Sequence, residues 1–381
     1  MRLNCLTVCL QPSLRKDAKE RSCKEFIFVA LQLRFVITAL FLAAGSLRAQ
    51  TLGGNSVFNF LKLPNTPQLT ALGGINVSSV SNDIGLAFNN PALLSPAMHT
   101  QMNAAFNSFY EGITAYHLSL GYHHEKSKTS FLWGLNYLNY GNLPQADASG
   151  NLFGNFRPTD WVMQLSASRR YLQRWQYGMS VKFIFSNYGQ YQSNGIAADV
   201  GVLYKDTVNG LSASVLAKNM GTQLKKYDGT DPDDLPFDLQ IGISKRLLHS
   251  PFGFSLTAHH IHQFDISYND TVYNNTNGFG NADSGLDKIF RHFVVAANIY
   301  LGDKVELAMG YNYLRRKELN IGNTGNGLNG FSMGLSLLLN KLQVRYARSQ
   351  YQNSTGYNQF GLNISLNQYF GLGKFGQRIG W

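Results

Sequence analysis

The sequence predicts an all-β protein, a 14-stranded antiparallel transmembrane β-barrel preceded by an N-terminal plug-like segment. The first observation is compositional: the 381 residues include 14% charged and 13% aromatic residues, and the mean hydropathy is −0.17. Soluble domains carry about 25% charged residues, and helical membrane proteins need spans of about 20 apolar residues. The other two observations are strands with alternating faces, and connections that alternate between short and long, as in outer-membrane barrels.

Residues 1–49 have the pattern of a cleaved secretory signal. A basic leader precedes an apolar core from Phe35 to Ala44, and the small residue Ala49 stands before Gln50. This order is typical of signal peptides, so we expect the mature chain to start near Gln50; a retained transmembrane anchor is the alternative. All three cysteines lie before this point, which suits export through an oxidising periplasm.

The formal net charge of +11 overstates how basic the mature chain would be, because eight of the 33 Lys and Arg residues fall within 1–49. Nucleic-acid-binding proteins carry a basic stripe or patch on one face. No such run occurs in this sequence. We therefore expect no nucleic-acid partner, and outer-membrane lipid as the surrounding medium.

Residues 50–98 do not alternate and are interpreted as the plug-like segment. They contain repeated Gly and Pro residues with short apolar clusters between them. Within FNNPALL (88–94) we expect a turn that opens a short helix, with Asn89 or Asn90 near the cap and Pro91 in the first turn. A packed segment of this length would obstruct the lumen of a barrel, whereas a disordered periplasmic arm is the alternative.

The region 99–381 is interpreted as the barrel, because segments of about ten residues alternate apolar with small or polar side chains. In the segment 113–123, Tyr116, Leu118 and Leu120 share one face. Successive side chains of a strand leave opposite faces, so this period of two predicts a strand. The predicted strands are 99–109, 113–124, 130–140, 161–169, 176–186, 195–205, 211–219, 237–245, 252–261, 290–300, 305–313, 331–338, 341–348 and 358–367.

The predicted connections alternate in length. The even-numbered ones are short: 125–129, 170–175, 206–210, 246–251, 301–304 and 339–340. From the third onward the odd-numbered ones are longer: 141–160, 187–194, 220–236, 262–289, 314–330 and 349–357. Outer-membrane barrels have short periplasmic turns and long external loops, so we place both termini in the periplasm. The first connection, 110–112, is too short for this pattern, and a soluble β-sandwich is the alternative fold.

Two charged residues indicate which face of the strands meets lipid. Lys182 and Asp199 alternate with apolar residues in their strands. A Lys side chain facing the bilayer midplane costs about 2–4 kcal/mol, so both residues are predicted to face the lumen. Gly134, Gly178 and Gly201 leave two interpretations open, since a glycine within a strand marks either a kink or tight interior packing.

The run GGNSVFNFLKLPNTPQLTALGG (53–74), followed by FNNPALL (88–94), resembles the N-terminus of the PorQ family of the type IX secretion system. The Asn-Pro-Ala element is also similar to that of the FadL-like fatty-acid channels and of PorV. The resemblance implies a place in a surface attachment complex with proteins resembling PorU, PorV and PorZ, where cargo is processed and joined to lipopolysaccharide. By this resemblance, a PorZ-like protein is the expected direct partner. The resemblance implies no catalytic residue in this chain.

The sequence contains no complete motif of a penicillin-binding serine enzyme. Ser13 and Lys16 form a Ser-x-x-Lys element, but it lies in the predicted signal. The Ser-Asp-Asn and Lys-Thr-Gly elements that accompany it in penicillin-binding enzymes are missing from the sequence. A phospholipase would need a Ser/His pair on neighbouring strands, which the sequence does not assign. We therefore expect no catalytic site.

Two groups of residues have side chains that could bind a metal ion. His259, His260 and His262 with Asp265 form the densest group, but on a strand His259 would point away from the other two. Zinc prefers three or four ligands, so we interpret this group as a polar strand end. Calcium favours carboxylates, but a solvated loop is the preferred interpretation of the acidic stretch with Asp228, Asp231, Asp233 and Asp234. We expect neither a metal nor a cofactor.

The leading hypothesis is therefore a non-enzymatic outer-membrane barrel of the type IX machinery that docks a surface complex. The alternative is a FadL-like transporter of hydrophobic small molecules. A transporter requires a continuous apolar pocket and a gap in one strand. A dock requires a blocked lumen and structured external loops.

Overall fold

A computed structural model describes residues 56–109, 112–146, 149–266, 285–319, 327–339, 342–350 and 356–367. The predicted signal, 1–49, lies outside these residues. The β-strands are β1 (Gln101–Ser108), β2 (Thr114–His124), β3 (Thr129–Asn139), β4 (Leu143–Ala146), β5 (Leu152–Phe156), β6 (Thr159–Tyr171), β7 (Trp175–Tyr188), β8 (Tyr191–Asp206), β9 (Leu211–Lys225), β10 (Asp238–Arg246), β11 (Phe252–Ala258), β12 (Phe293–Leu301), β13 (Val305–Asn312), β14 (Phe331–Leu338), β15 (Leu342–Gln350) and β16 (Gly356–Ser365).

Fourteen of these strands form one closed antiparallel barrel, in which each strand pairs with its neighbours in chain order and β1 pairs with β16. The closing pair runs from Gln101 opposite Ser365 to Ser108 opposite Asn358. Closure pairs the main-chain groups of both edge strands, which a lipid environment requires. The predicted strand number and barrel architecture are confirmed.

Several predicted connections differ from the structure; in 220–236, for example, the residues up to Lys225 belong to β9. The expected long loop 187–194 is wrong, because β7 and β8 continue until Tyr188 pairs with Tyr191. Gly189 has a φ of +72°, which a glycine adopts without a steric penalty, so the chain reverses in a tight turn. The expected loop 141–160 instead contains the two-stranded hairpin β4–β5, which stands apart from the barrel sheet.

The barrel wall has an apolar outer face and a polar inner face. Leu165, Ile241 and Met309 point outward and are 46–53% exposed. The residues on either side of Leu165 along β6, Gln164 and Ser166, point inward and are buried. An apolar outer band with a polar interior is the arrangement of barrels that lie in lipid.

Residues 56–100 pack inside the barrel as short helical pieces. They comprise α1 (Pro67–Ala71), α2 (Ile84–Asn89) and 3-10 helices at Asn59–Lys62, Pro91–Leu93 and Pro96–Met98. The Thr66 side chain accepts a hydrogen bond from Leu69 N at the start of α1. Asp83 does the same for Gly85 N at the start of α2. Both caps satisfy main-chain donors that a helix start leaves free, and they fix the fold of this segment, which we call the plug.

Helices also occur in the connections on the side of the barrel predicted to be external. α3 (Gly285–Phe290) lies between β11 and β12, and α4 (Tyr313–Leu319) lies between β13 and β14. Within the described ranges, no helix has the length and apolar content of a transmembrane span.

Candidate functional site

The plug sits against glycines of the inner wall. A Cβ atom added to Gly178 would lie 2.4 Å from Pro91 C, and one added to Gly201 would lie 2.4 Å from Asn90 Oδ1. A Cβ atom on Gly134 would lie 2.6 Å from the Phe88 ring. The three strand glycines therefore provide space for the plug, for its main chain at Gly178 and for its side chains at Gly201 and Gly134. Of the two interpretations that the sequence leaves open, a kink or tight interior packing, the structure shows tight packing.

Asn89 and Asn90 tie this part of the plug together and to the wall. Asn90 Nδ2 donates to Val77 O at 2.8 Å and to Ser214 Oγ at 2.9 Å, while Asn90 Oδ1 accepts from Ala92 N. Asn90 thus caps the 3-10 helix in which Pro91 is the first residue. Asn89 Oδ1 accepts from Lys218 Nζ at 2.6 Å. Every polar atom of the Asn90 side chain therefore has a buried partner.

The first plug helix, α1, is hydrogen bonded to polar side chains on a different part of the wall, in β13, β15 and β16. Gln68 Nε2 donates to Glu306 Oε1 at 3.1 Å, and Gln68 Oε1 accepts from Arg345. Thr70 is hydrogen bonded to Tyr357 at 2.8 Å and donates to Gln359. Buried polar side chains need such partners to offset lost hydration, and at this part of the wall the plug supplies them to Glu306, Arg345 and Gln359.

Lys182 and Asp199 form an ion pair inside the barrel. Lys182 Nζ lies 2.7 Å from Asp199 Oδ2, and both side chains are almost fully buried. The bulge between β8 and β9, where Asn219 has a φ of +58°, brings a third residue into the pair. Asn219 N donates to Asp199 Oδ1 at 2.8 Å, and Asn219 Oδ1 accepts from Lys182 Nζ at 2.8 Å. The pair therefore has the additional hydrogen bonds that a buried ion pair needs.

A small cavity of about 20 Å³ lies between the plug and the wall. Such a cavity has room for about one water molecule, whereas small-molecule pockets measure about 300–1,000 Å³. With the plug in place, this space does not hold a hydrophobic ligand. Its lining includes Phe60, Leu61, Leu63, Phe88, Lys182 and Lys218.

An acidic residue joins the two outer helices. Asp287 of α3 lies 2.8 Å from Lys317 Nζ of α4, and it accepts from Tyr313 OH and from Arg291. Burial opposes ionisation of Asp287, but hydrogen bonds from Lys317, Tyr313 and Arg291 outweigh it and hold the pKa below its usual range. Two separate outer connections are therefore held together by charge, which favours a defined outer surface.

Histidines gather at the outer end of β10 and β11. His260 has a φ of +53°, so the chain turns out of the strand after Ala258 and His259 lies beside His260. Their Nδ1 atoms are 2.6 Å apart, and His260 Nδ1 lies 3.8 Å from Asp238 Oδ1. The expected orientation of His259, away from His260, is therefore wrong. Burial lowers the pKa of His259 to about 3, so its imidazole is neutral at pH 7.

The carboxylate beside these histidines is Asp238 and not Asp265, which the sequence spacing suggests. Asp265 pairs instead with Lys288 at 2.5 Å, while Asp238 of the neighbouring strand approaches the histidines. Cross-strand register brings Asp238 there, and no spacing along the chain reveals it. Among the described residues, Asp238, His259 and His260 come close enough together to share a metal ion, whereas the acidic loop residues Asp228, Asp231, Asp233 and Asp234 form no such group.

The possible catalytic serines of the sequence do not form an accessible active site in the described part of the chain. Ser13 and Lys16 lie outside the described residues. The structure does pair His123 Nδ1 with Ser130 Oγ across β2 and β3, at 2.9 Å. Ser130 is only 3% exposed, so a lipid ester cannot reach its hydroxyl without local unfolding.

Comparisons with known proteins give weak matches. No protein-family model and no curated protein matches the chain. The toluene transporter TodX of Pseudomonas putida is 11% identical, with 78% of this chain and 96% of that chain covered at a TM-score of 0.45. The CymD monoaromatic hydrocarbon channel is 11% identical, with 81% and 97% covered at 0.45, and the KdgM porin is 6% identical, with 70% and 98% covered at 0.31.

At these identities and scores, the fold assignment rests on the strand pairing of the chain itself. That pairing closes through β1 and β16, and the outward side chains form an apolar band. The lumen is occupied by residues 56–100. The chain is a plugged, fourteen-stranded antiparallel β-barrel of the outer-membrane kind.

Proposed function

We propose that this barrel is a docking scaffold of the cell surface, a PorQ-like component that holds a PorZ-like partner beside proteins resembling PorU and PorV. The type IX part of the proposal rests on the resemblance of 53–74 and 88–94. One structural observation supports docking over passage of molecules. The plug packs inside the lumen and is hydrogen bonded to the wall through Gln68 and Asn90. The outer connections contain a β-hairpin and two helices.

The outer surface offers groups that a partner could bind. Leu152 and Phe153 of the hairpin β4–β5 are 70% and 66% exposed. Apolar side chains on a structured loop are suited to protein contacts, because loops on a rigid scaffold carry most binding residues. The α3–α4 pair adds a charged surface held by Asp287. A partner would meet both features on the same side of the barrel.

A channel for hydrophobic molecules is the second candidate. TodX is named a toluene transporter and CymD a monoaromatic hydrocarbon channel, and Phe60, Leu61 and Phe88 line an apolar side of the cavity. That cavity is far smaller than a ligand pocket, so passage through this part of the lumen would require the plug to move. In addition, the pairing around the barrel leaves no strand of the sheet unpaired on either side.

The experiment compares surface retention with uptake in the native bacterium. We would replace Leu152 and Phe153 by Ser and use Val208→Ser as the matched control. Val208 is 72% exposed in the short turn between β8 and β9, at the opposite end of the barrel. The hairpin variant should release the PorZ-like protein from the cells and leave toluene uptake unchanged. Reduced uptake with the partner retained would contradict docking and favour the channel.

A further inference from the structure

We propose that Asp238, His259 and His260 form a binding site for a divalent transition-metal ion, zinc being the best match. The site lies at the outer end of β10 and β11. Its three candidate ligand atoms lie within 4.8 Å of one another. Two imidazoles and one carboxylate are a ligand set that zinc uses when a fourth position is left open, and imidazole also suits copper and nickel.

The distances are close to those of a metal centre. With zinc–ligand bonds of about 2.0–2.2 Å, two ligand atoms of a tetrahedral site stand about 3.3–3.5 Å apart. The Asp238–His260 pair is at 3.8 Å and the His259–His260 pair at 2.6 Å. The three atoms spread over up to 4.8 Å and the two histidine nitrogens stand closer than a tetrahedral site allows, so both rings would rotate when an ion is bound. His262, whose ring centre lies 6.0 Å from that of His260, is a further imidazole beside the group.

The surroundings orient the carboxylate as a ligand. Gln240 Nε2 donates to Asp238 Oδ2 at 2.6 Å, and His260 N donates to Asp238 Oδ1 at 2.6 Å. Such supporting hydrogen bonds fix the direction of a metal ligand. The left-handed backbone at His260 is a second sign, because non-glycine residues held there cost free energy and collect at functional sites.

Hydrogen bonding alone leaves the cluster incomplete. His259 is fully buried, and its Nε2 atom has no hydrogen-bond partner in the described part of the chain. The same holds for His262 Nδ1 and Gln240 Oε1. Buried polar atoms without partners are uncommon and call for an explanation such as an ion. Such atoms also occur elsewhere in the described part of the chain, but two of those found here, His259 Nε2 and His262 Nδ1, are imidazole nitrogens, which can bind a metal ion directly.

A bound ion would have a defined structural effect. It would link the first residue of β10 to the residues that follow β11, and so fix the start of the long connection that leads to α3. This inference does not depend on the docking proposal, since the site would bind metal whatever the outer surface does.

The test uses the mature barrel without a histidine tag, folded in detergent and titrated with Zn²⁺ against a chromophoric chelator. We expect one Zn²⁺ per chain. His259→Ala and Asp238→Asn should each weaken binding at least tenfold, and Gln240→Leu should weaken it roughly ten- to hundredfold as loss of a supporting group does. Co²⁺ in place of Zn²⁺ should give the visible absorption of a tetrahedral site.

Two further variants make the result decisive. His260→Gly removes a ligand but adopts the positive φ freely, so it should fold normally and still bind at least tenfold more weakly. His249→Ala, in the exposed turn between β10 and β11 at the opposite end, should bind like the wild type. Failure of the wild type to bind Zn²⁺, or equal weakening in His249→Ala, would overturn the proposal.

Discussion

Replacing Gly178 by Ala tests whether close packing holds the plug in the lumen. The new Cβ atom would lie 2.4 Å from Pro91 C, 2.5 Å from Pro91 O and 2.6 Å from Ala92 N. All three are main-chain atoms, so no side-chain rotation relieves the contact. Strand β7 cannot retreat either, because it is hydrogen bonded to β6 and β8 along its length. The plug must therefore move.

The size of the effect follows from these distances. Ordinary contact for a Cβ atom begins at 3.4 Å, so the plug main chain would have to withdraw by about 1 Å. Overpacking of this kind costs typically about 1–3 kcal/mol. Because each 1.36 kcal/mol is a factor of ten, the population with a locally detached plug should rise about five- to 150-fold.

Thiol labelling can measure that population. The native cysteines all lie within 1–49, so Ser78→Cys gives a single reporter at a fully buried plug position in the mature chain. In the Gly178→Ala background the labelling rate should rise by the factor given above, since local opening limits access to a buried group. Gly285→Ala, which adds a Cβ atom into open space, is the control. An unchanged rate in Gly178→Ala would refute the view that the wall glycines hold the plug.

Three further predictions concern other parts of the molecule. Lys182→Met leaves Asp199 charged and buried, which should destabilise the barrel by about 3–5 kcal/mol in urea unfolding; adding Asp199→Asn should restore most of this loss, and no restoration would contradict the pairing. Asp287→Asn should make the outer helices sensitive to protease at pH 7. Because the folded pKa of Asp287 is depressed, its stabilisation in the wild type is present at neutral pH and is lost only as the pH falls below about 4; loss near pH 6 would be inconsistent with this. A tag in 220–236 should be accessible on intact cells and one in 301–304 should not, and the reverse would mean that the predicted orientation is wrong.

The sequence predicts the barrel well, because each wall strand has one face toward lipid and one toward the lumen. This alternation is preserved in β2 and β6, whose inner positions are buried and outer positions are not. The hairpin β4–β5 was missed because it lacks this contrast: nearly all of β5 is exposed, so no face is distinguished. The lengths of β7 and β8 were underestimated for the same reason, since their outer ends extend beyond the region where burial imposes alternation.

The candidate sites were less predictable than the wall. Strand periodicity places His259 and His260 on opposite faces, but the left-handed turn at His260 brings them together. The partner Asp238 comes from another strand, through a register that composition does not encode. Likewise, the sequence does not indicate which residues pack against Gly178 and Gly201. Only the structure shows that Pro91 and Asn90 of the plug do.

The position of the plug also bears on how this protein assembles. The seam of the barrel is the pairing of β1 with β16, the first and the last strands of the wall. Pro67 lies against Gly361, and Asn363 donates to Asp83 at 2.8 Å, so the plug contacts the last strand directly at the seam. The plug therefore supplies side-chain contacts to the last wall strand at the place where the two edges pair. A chain without the plug would keep the main-chain pairing of the seam and its cross-strand contact from Asn103 Nδ2 to Asn363 Oδ1 at 2.6 Å, but would lose these plug contacts. The plug therefore contributes to holding the barrel closed as well as to blocking it.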